Sequence, residues 1–194
     1  MKFITSVFLL LNCFVYAYAQ SESLLPVDEQ GKFIYYEVVP LEGTTKNALK
    51  DRVINYLKKQ HKEIQFKSLQ GDTAFIATGK MVINKTLLVM SHPSGEILYR
   101  FQAEVKEGKY RFWLSDFSFI PYQRDRYGNF VASTTIGASL ERDPGKLNAA
   151  QWKEYQMQAA KYAKEFASKF KQFMVSKISI AESVPEKKVI SKSW

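Results

Sequence analysis

From Gly95 onward the chain alternates apolar and polar side chains without a break for the length of a strand. Ile97, Tyr99, Phe101, Ala103 and Val105 fall on one side, and Arg100, Gln102 and Glu104 on the other. A period of two is the pattern of a half-buried antiparallel strand. Glu107-Gly108-Lys109 predicts a tight turn, because Gly108 takes the positive φ that such a connection needs. The return arm puts Tyr110, Phe112 and Leu114 on one phase, then Phe117 and Phe119 on the other. That change of phase near Ser115-Asp116 predicts a β-bulge. A long hairpin over residues 95–122 is therefore the expected centre of a sheet.

The flanking segments supply elements to extend and cover it. Residues 33–39 alternate, with Ile34, Tyr36 and Val38 on one face, Phe33, Tyr35 and Glu37 on the other, and Pro40 as a stop. Thr44 or Thr45 is placed to cap a helix whose stripe is Leu49, Val53, Tyr56 and Leu57. Ile64 and Phe66 begin another strand, Gln70-Gly71-Asp72 turns the chain, and Phe75, Ala77, Gly79, Met81 and Ile83 line a longer one. Gly79 inside it marks a bulge or a close approach. Asn84-Lys85 is read as a turn or a bend, and Ser91 to Ser94, with His92 and Pro93, as a lead into the hairpin. Residues 123–147 form a long irregular segment, of the kind that in compact domains is often functional, with a short strand inside 131–136. Asp143-Pro144-Gly145 is a turn and Asn148 an N-cap for a last helix, about Ala149 to Lys177. Its stripe of Trp152, Tyr155, Ala159, Tyr162, Ala163, Phe166, Phe170 and Phe173 reads as core packing and not as a cofactor box. The order is β-α-β-β-β-β-α, an α+β class with about 5–6 strands in the sheet.

The first 19 residues stand apart from this fold: Lys2, an apolar run, then Ala17-Tyr18-Ala19 as small residues before a cleavage point. The expected layout is a signal peptide over 1–19, a leader over 20–31, one domain over 32–178 and a flexible basic tail over 179–194. Export to the periplasm or medium follows. Cys13, the chain's single cysteine, lies inside the apolar run behind Asn12, which argues against a lipid anchor there. With Cys13 removed, no disulfide or thiolate chemistry is left to the mature chain. The net charge of +9 is uneven: ten lysines face four glutamates from Lys146 to Trp194. Such a surface suits an acidic partner, an anionic glycan of the cell envelope, or peripheral contact of the lysine-rich C-terminal helix with an anionic membrane. A solvated helix face accounts for the same lysines.

Catalytic patterns are thin. His61 and His92 lack partners at metal-ligand spacing, and neither a nucleophile elbow nor a phosphate loop is present. No cofactor and no metal are expected. Asn84-Lys85-Thr86 matches a glycosylation acceptor only in a eukaryotic secretory route. The best candidate site is the loop Arg124, Asp125, Arg126 and Tyr127, where two guanidinium groups could take a carboxylate, phosphate or sulfated sugar. Pairing of Asp125 with an arginine is the structural alternative. Trp113 is a second candidate, as an exposed aromatic for a glycan or protein, or as cover for a second apolar surface.

Two stretches resemble a known family. They are residues 33–57, and Gly108-Lys109-Tyr110-Arg111-Phe112 through Phe117, Ile120-Pro121-Tyr122 and Arg124-Asp125-Arg126-Tyr127-Gly128-Asn129-Phe130. They resemble the bacterial domain of unknown function 4468 family with TBP-like fold, common in exported Bacteroidetes proteins. The resemblance implies a curved antiparallel sheet with one short and one long C-terminal helix on one face. It carries no activity, since fold does not imply function, and no nucleic-acid partner is expected of an exported protein. The expected function is a non-catalytic binding or structural module of the cell envelope, contacting a protein or glycan. A carrier of a small apolar ligand would instead need an open pocket between the long helix and the sheet. An enzyme would need two perturbed carboxylates in one cleft.

Overall fold

The computed structural model describes residues 24–87 and 90–176. The expected signal peptide, Cys13 and the tail over 179–194 lie outside them. Strand β1 is Tyr35–Pro40, helix α1 Lys46–Lys59, β2 Ile64–Gln70, β3 Ala74–Leu87, β4 Met90–Lys106 and β5 Lys109–Arg124. Short strands β6, Phe130–Ala132, and β7, Ala138–Ser139, precede helix α2, Ala149–Val175. The sheet is antiparallel in the order β1-β5-β4-β3-β2, with β6 and β7 also on β5. The segment before β1 does more than lead in: Leu25 joins the core and Val27 bridges Phe33.

β4 and β5 form the expected hairpin, with Lys106 opposite Lys109 and Gly108 at φ 67°. All five apolar residues of the first arm are buried, as are Tyr110, Phe112, Leu114, Phe117 and Phe119 of the second. Leu98 pairs with Ser118 but Arg100 with Ser115, so the register slips by one residue here. Asp116 absorbs that slip at φ 54°, a left-handed conformation uncommon outside glycine, and its carboxylate meets Arg100 at 3.2 Å. The turn is docked as well as tight. Gly108 N–H donates to the Thr44 carbonyl at 3.1 Å, and Lys46 N–H to Glu107 Oε2 at 2.9 Å. Thr45 Oγ1 accepts from Ala48 N–H, so of the two candidate threonines it is the cap of α1.

One open alternative is decided and two local expectations change. Of the turn or bend expected at Asn84-Lys85 it is the bend: β3 runs on to Leu87 with a register shift after Ile83. His92 and Pro93 are consequently inside β4, opposite Lys85 and Asn84, and not in a lead-in loop. Asn148 precedes α2 but its side chain makes no capping bond, because a 3-10 turn over Lys146–Asn148 already winds the chain into the helix.

Both helices lie on one face. Tyr56 of α1 meets Phe166, Phe170 and Phe173 of α2 at 5.9, 4.9 and 5.2 Å between ring centroids. Phe170 in turn touches Phe101, Tyr110 and Phe112 from the sheet. Gly79 is a close approach, with Tyr99 across the ladder from it: a Cβ there would stand 2.3 Å from the Tyr99 ring. The middle of α2 is therefore packed onto the sheet through rings.

Candidate functional site

Arg124 closes β5, and Asp125 to Asn129 make the tight loop that follows. Asp125 is the organiser of that loop. Its Oδ1 accepts from the backbone N–H of Tyr127 and of Asn129, each at 2.8 Å, and its Oδ2 from the Asn129 side-chain amide at 3.2 Å. Those bonds, the Asn129 backbone N–H foremost, hold its carboxyl below the usual aspartate range. Among the described residues no ion pair joins Asp125 to either arginine. The arginines instead lie on rings, Arg124 over Phe130 at 4.9 Å and Arg126 over Tyr127 at 4.8 Å. Tyr127 is 74% exposed.

Trp113 is elsewhere. It lies on the face of the sheet without helices, half-buried between Tyr36 at 6.3 Å and the Arg111 guanidinium at 5.6 Å. Its Nε1–H donates to Gln102 at 3.1 Å, and Arg111 is ion-paired with Glu104. Trp113 thus neither stands free nor joins the loop, from which it is separated by roughly 35 Å of strand.

A cavity of about 670 Å³ opens where the hairpin ends. Phe119 and Tyr122 of β5, His92 of β4, Phe130 of β6, and Trp152 and Tyr155 of α2 form its walls, with Arg142 at its margin. Each wall is held. Tyr155 stacks on Phe119 at 4.1 Å and accepts from Gln151 at 2.6 Å, and burial raises its hydroxyl pKa. Trp152 Nε1–H donates to the Leu140 carbonyl at 3.0 Å. Tyr122 donates to Glu96 Oε2 at 2.8 Å, and burial followed by that carboxylate pushes the phenol up to about 12. Glu96 is itself buried and paired with Lys80 at 2.9 Å. No Asp or Glu lines the cavity among the described residues. Arg142 makes no ion pair among them.

Of the residues singled out in the sequence, Arg124 alone reaches this place, behind the wall residue Phe130. Arg142, His92, Tyr122 and Trp152 went unmarked as site residues. The length of the 123–147 segment was the available signal, since it is this segment that folds over the sheet end. His92, expected as a surface turn residue, is half-buried with its ring 5.8 Å from Phe130. Among the described residues no cluster of His, Cys, Asp and Glu could hold a metal, and no helix is long and apolar enough to cross a membrane.

The fold has solved counterparts. A TBP-like protein from Parabacteroides distasonis superposes with a TM-score of 0.56 at 14% identity, over 77% of this chain and 96% of that one. A DUF4468 family protein from Bacteroides ovatus gives a TM-score of 0.55 at 12% identity, over 79% of this chain and 91% of that one. At these identities the likeness is one of fold. The comparison with curated proteins gave no match. The stretch from residue 35 to 120, which holds most of the hairpin and stops short of the segment closing the cavity, matches the family model of a domain of unknown function (DUF4468) with TBP-like fold.

Proposed function

We propose that the chain is a non-catalytic binding module of the exported cell envelope that holds a partner at the end of the sheet, where the central hairpin finishes. The observation carrying this reading is the open cavity of about 670 Å³, a volume usual for ligand sites. Its ring faces suit the C–H faces of sugars or apolar side chains, and the Arg142 guanidinium suits a carboxylate or sulfate. With an arginine and no carboxylate among its described lining residues, the cavity favours an anionic partner. An acidic glycan fits it better than a neutral one, and a protein partner would present an acidic side chain there. A paired-carboxylate mechanism has no pair to use among the described lining residues. The exposed Lys153, Lys161, Lys164 and Lys169 of α2 fit peripheral contact with an anionic surface in the same compartment.

The test is a binding series on the full chain with an oligosaccharide of uronic acid units and its neutral counterpart, read by tryptophan fluorescence and repeated with Arg142→Ala and Trp152→Ala. The acidic saccharide should bind, more weakly in salt, and lose about tenfold in affinity in Arg142→Ala. Affinity capture from cross-linked envelopes with the same variants covers a protein partner. If neither saccharide binds and every captured partner is unchanged by both substitutions, the reading is wrong.

A further inference from the structure

A separate surface lies at the far edge of the sheet. Among the described residues β2 pairs with β3 alone, so alternate backbone N–H and C=O groups along its other side face solvent. Beside this edge α1 leaves a second cavity of about 490 Å³. Ile54 and Leu57 of α1 and Ile64, Phe66 and Leu69 of β2 wall it, with Lys58 and His61 on the rim. Phe66 is 52% and Leu69 39% exposed, although both belong to the helix-covered face of the sheet, opposite Ala77 and Phe75. On the other face stand Lys67 of the strand and Lys62 of the turn before it, which make no ion pair among the described residues. Their neighbours Lys80 and Arg100 are already paired, with Glu96 and Asp116.

We infer that this edge docks an extended segment of a partner protein, added as a strand beside β2, whose side chains alternate apolar and acidic. An added strand places successive side chains on opposite faces. One set then falls over the apolar trough at Phe66 and Leu69, and the other beside Lys62 and Lys67. Main-chain bonds hold the segment, while the two faces of β2 select its sequence. Charge decides between occupants. From Lys58 to Leu69 the chain carries four lysines and one glutamate. A second copy pairing edge to edge would set these lysines against each other. The chain's own C-terminal stretch, with Lys187, Lys188 and Lys192, has the wrong sign as well. A segment of opposite charge meets neither obstacle.

The experiment uses the full chain and a fluorescent synthetic peptide alternating valine and glutamate. One control replaces glutamate by lysine, and another places proline at its centre to interrupt strand pairing. The glutamate peptide should bind and slow amide exchange along β2, and salt should weaken it. Phe66→Ser should lower affinity about tenfold, and Lys67→Glu should lower it also. Both residues are exposed, so thermal melts should match the parent, and Lys67→Glu carries the test if Phe66→Ser does not fold. Equal binding of the lysine or the proline peptide overturns the proposal, and so does binding unchanged by both substitutions. Self-association of the chain that Phe66→Ser abolishes would assign the edge to a second copy instead.

Discussion

Gly79→Ala is the most direct probe of how tightly helix α2 is fitted to the sheet. Gly79 has no positive φ, so alanine meets no backbone objection, and the whole effect must come from Tyr99. The new Cβ would lie 2.3 Å from both Cζ and Oη of that ring. The ring cannot retreat freely, since Phe117, Tyr162 and Phe166 surround it at 6.4, 5.5 and 6.1 Å between centroids. Overpacking a core site by one methyl costs about 1–3 kcal/mol. Displacing the ring also breaks the 3.0 Å hydroxyl–hydroxyl bond from Tyr99 to Tyr162, worth about 1 kcal/mol. Exchanging glycine for alanine in a strand returns roughly 0.5 kcal/mol. The net loss is about 1.5–3.5 kcal/mol, a fall in melting temperature of roughly 3–14 °C for a chain of this size. Thermal unfolding followed by circular dichroism measures it. Adding Tyr99→Leu should relieve the clash, so a double-mutant cycle should show strong favourable coupling. A Gly79→Ala protein that melts with the parent, or a double variant that is simply additive, would refute the reasoning.

Other outcomes follow from single groups. The Tyr110 hydroxyl is buried with no hydrogen-bond partner among the described residues, so Tyr110→Phe should be neutral or stabilise by about 1 kcal/mol in urea denaturation. Tyr122 is raised to about 12, and Tyr56 and Tyr99 are raised too, each chiefly by burial. A raised folded-state pKa means stability that is complete below the unfolded value near 10 and lost as pH climbs through the folded one. Ultraviolet titration should therefore show these phenols resisting ionisation above pH 10 or so until unfolding, with Glu96→Gln making Tyr122 ionise earlier. Asp125 shifts the opposite way, so its bonds persist above the ordinary aspartate pKa and are lost as pH falls through the lowered value. Carboxyl NMR should place it below exposed aspartates, and the Tyr127 and Asn129 amides should exchange faster once it is protonated.

What could be read ahead of the structure was whatever obeys a short period. The hairpin, its bulge, a threonine cap at 44 or 45 and both helical stripes are local patterns whose physical cause lies within a few residues. The fold class followed from their order. The cavity was not legible, because its walls come from four elements and their meeting depends on how residues 123–147 return across the sheet. Asp125 illustrates the limit. Its charge suggested an ion pair with a neighbouring arginine, but the decisive interactions are with backbone amides, whose directions depend on the loop conformation. Trp113 was ambiguous for a related reason: alternation gave its face, and only the neighbours Tyr36, Arg111 and Gln102 show how far that face covers it. His92 was misplaced because Pro93 beside it suggested a turn, whereas the ladder tolerates that proline at an irregular pairing.

The left-handed residue Asp116 has a consequence for how this chain can vary. Everything beyond it in β5 is one step out of phase with everything before it. The bulge thus works like a change of reading frame written into the strand. Flatten the bulge with every residue kept and Phe119 would turn away from Tyr155, while Ile120 would turn toward it, so the cavity would lose one wall without any change in composition. Length changes between the bulge and Arg124 are therefore tolerable in twos and ruinous in ones. A relative that keeps the cavity should keep the parity of this segment even where it keeps few of its side chains.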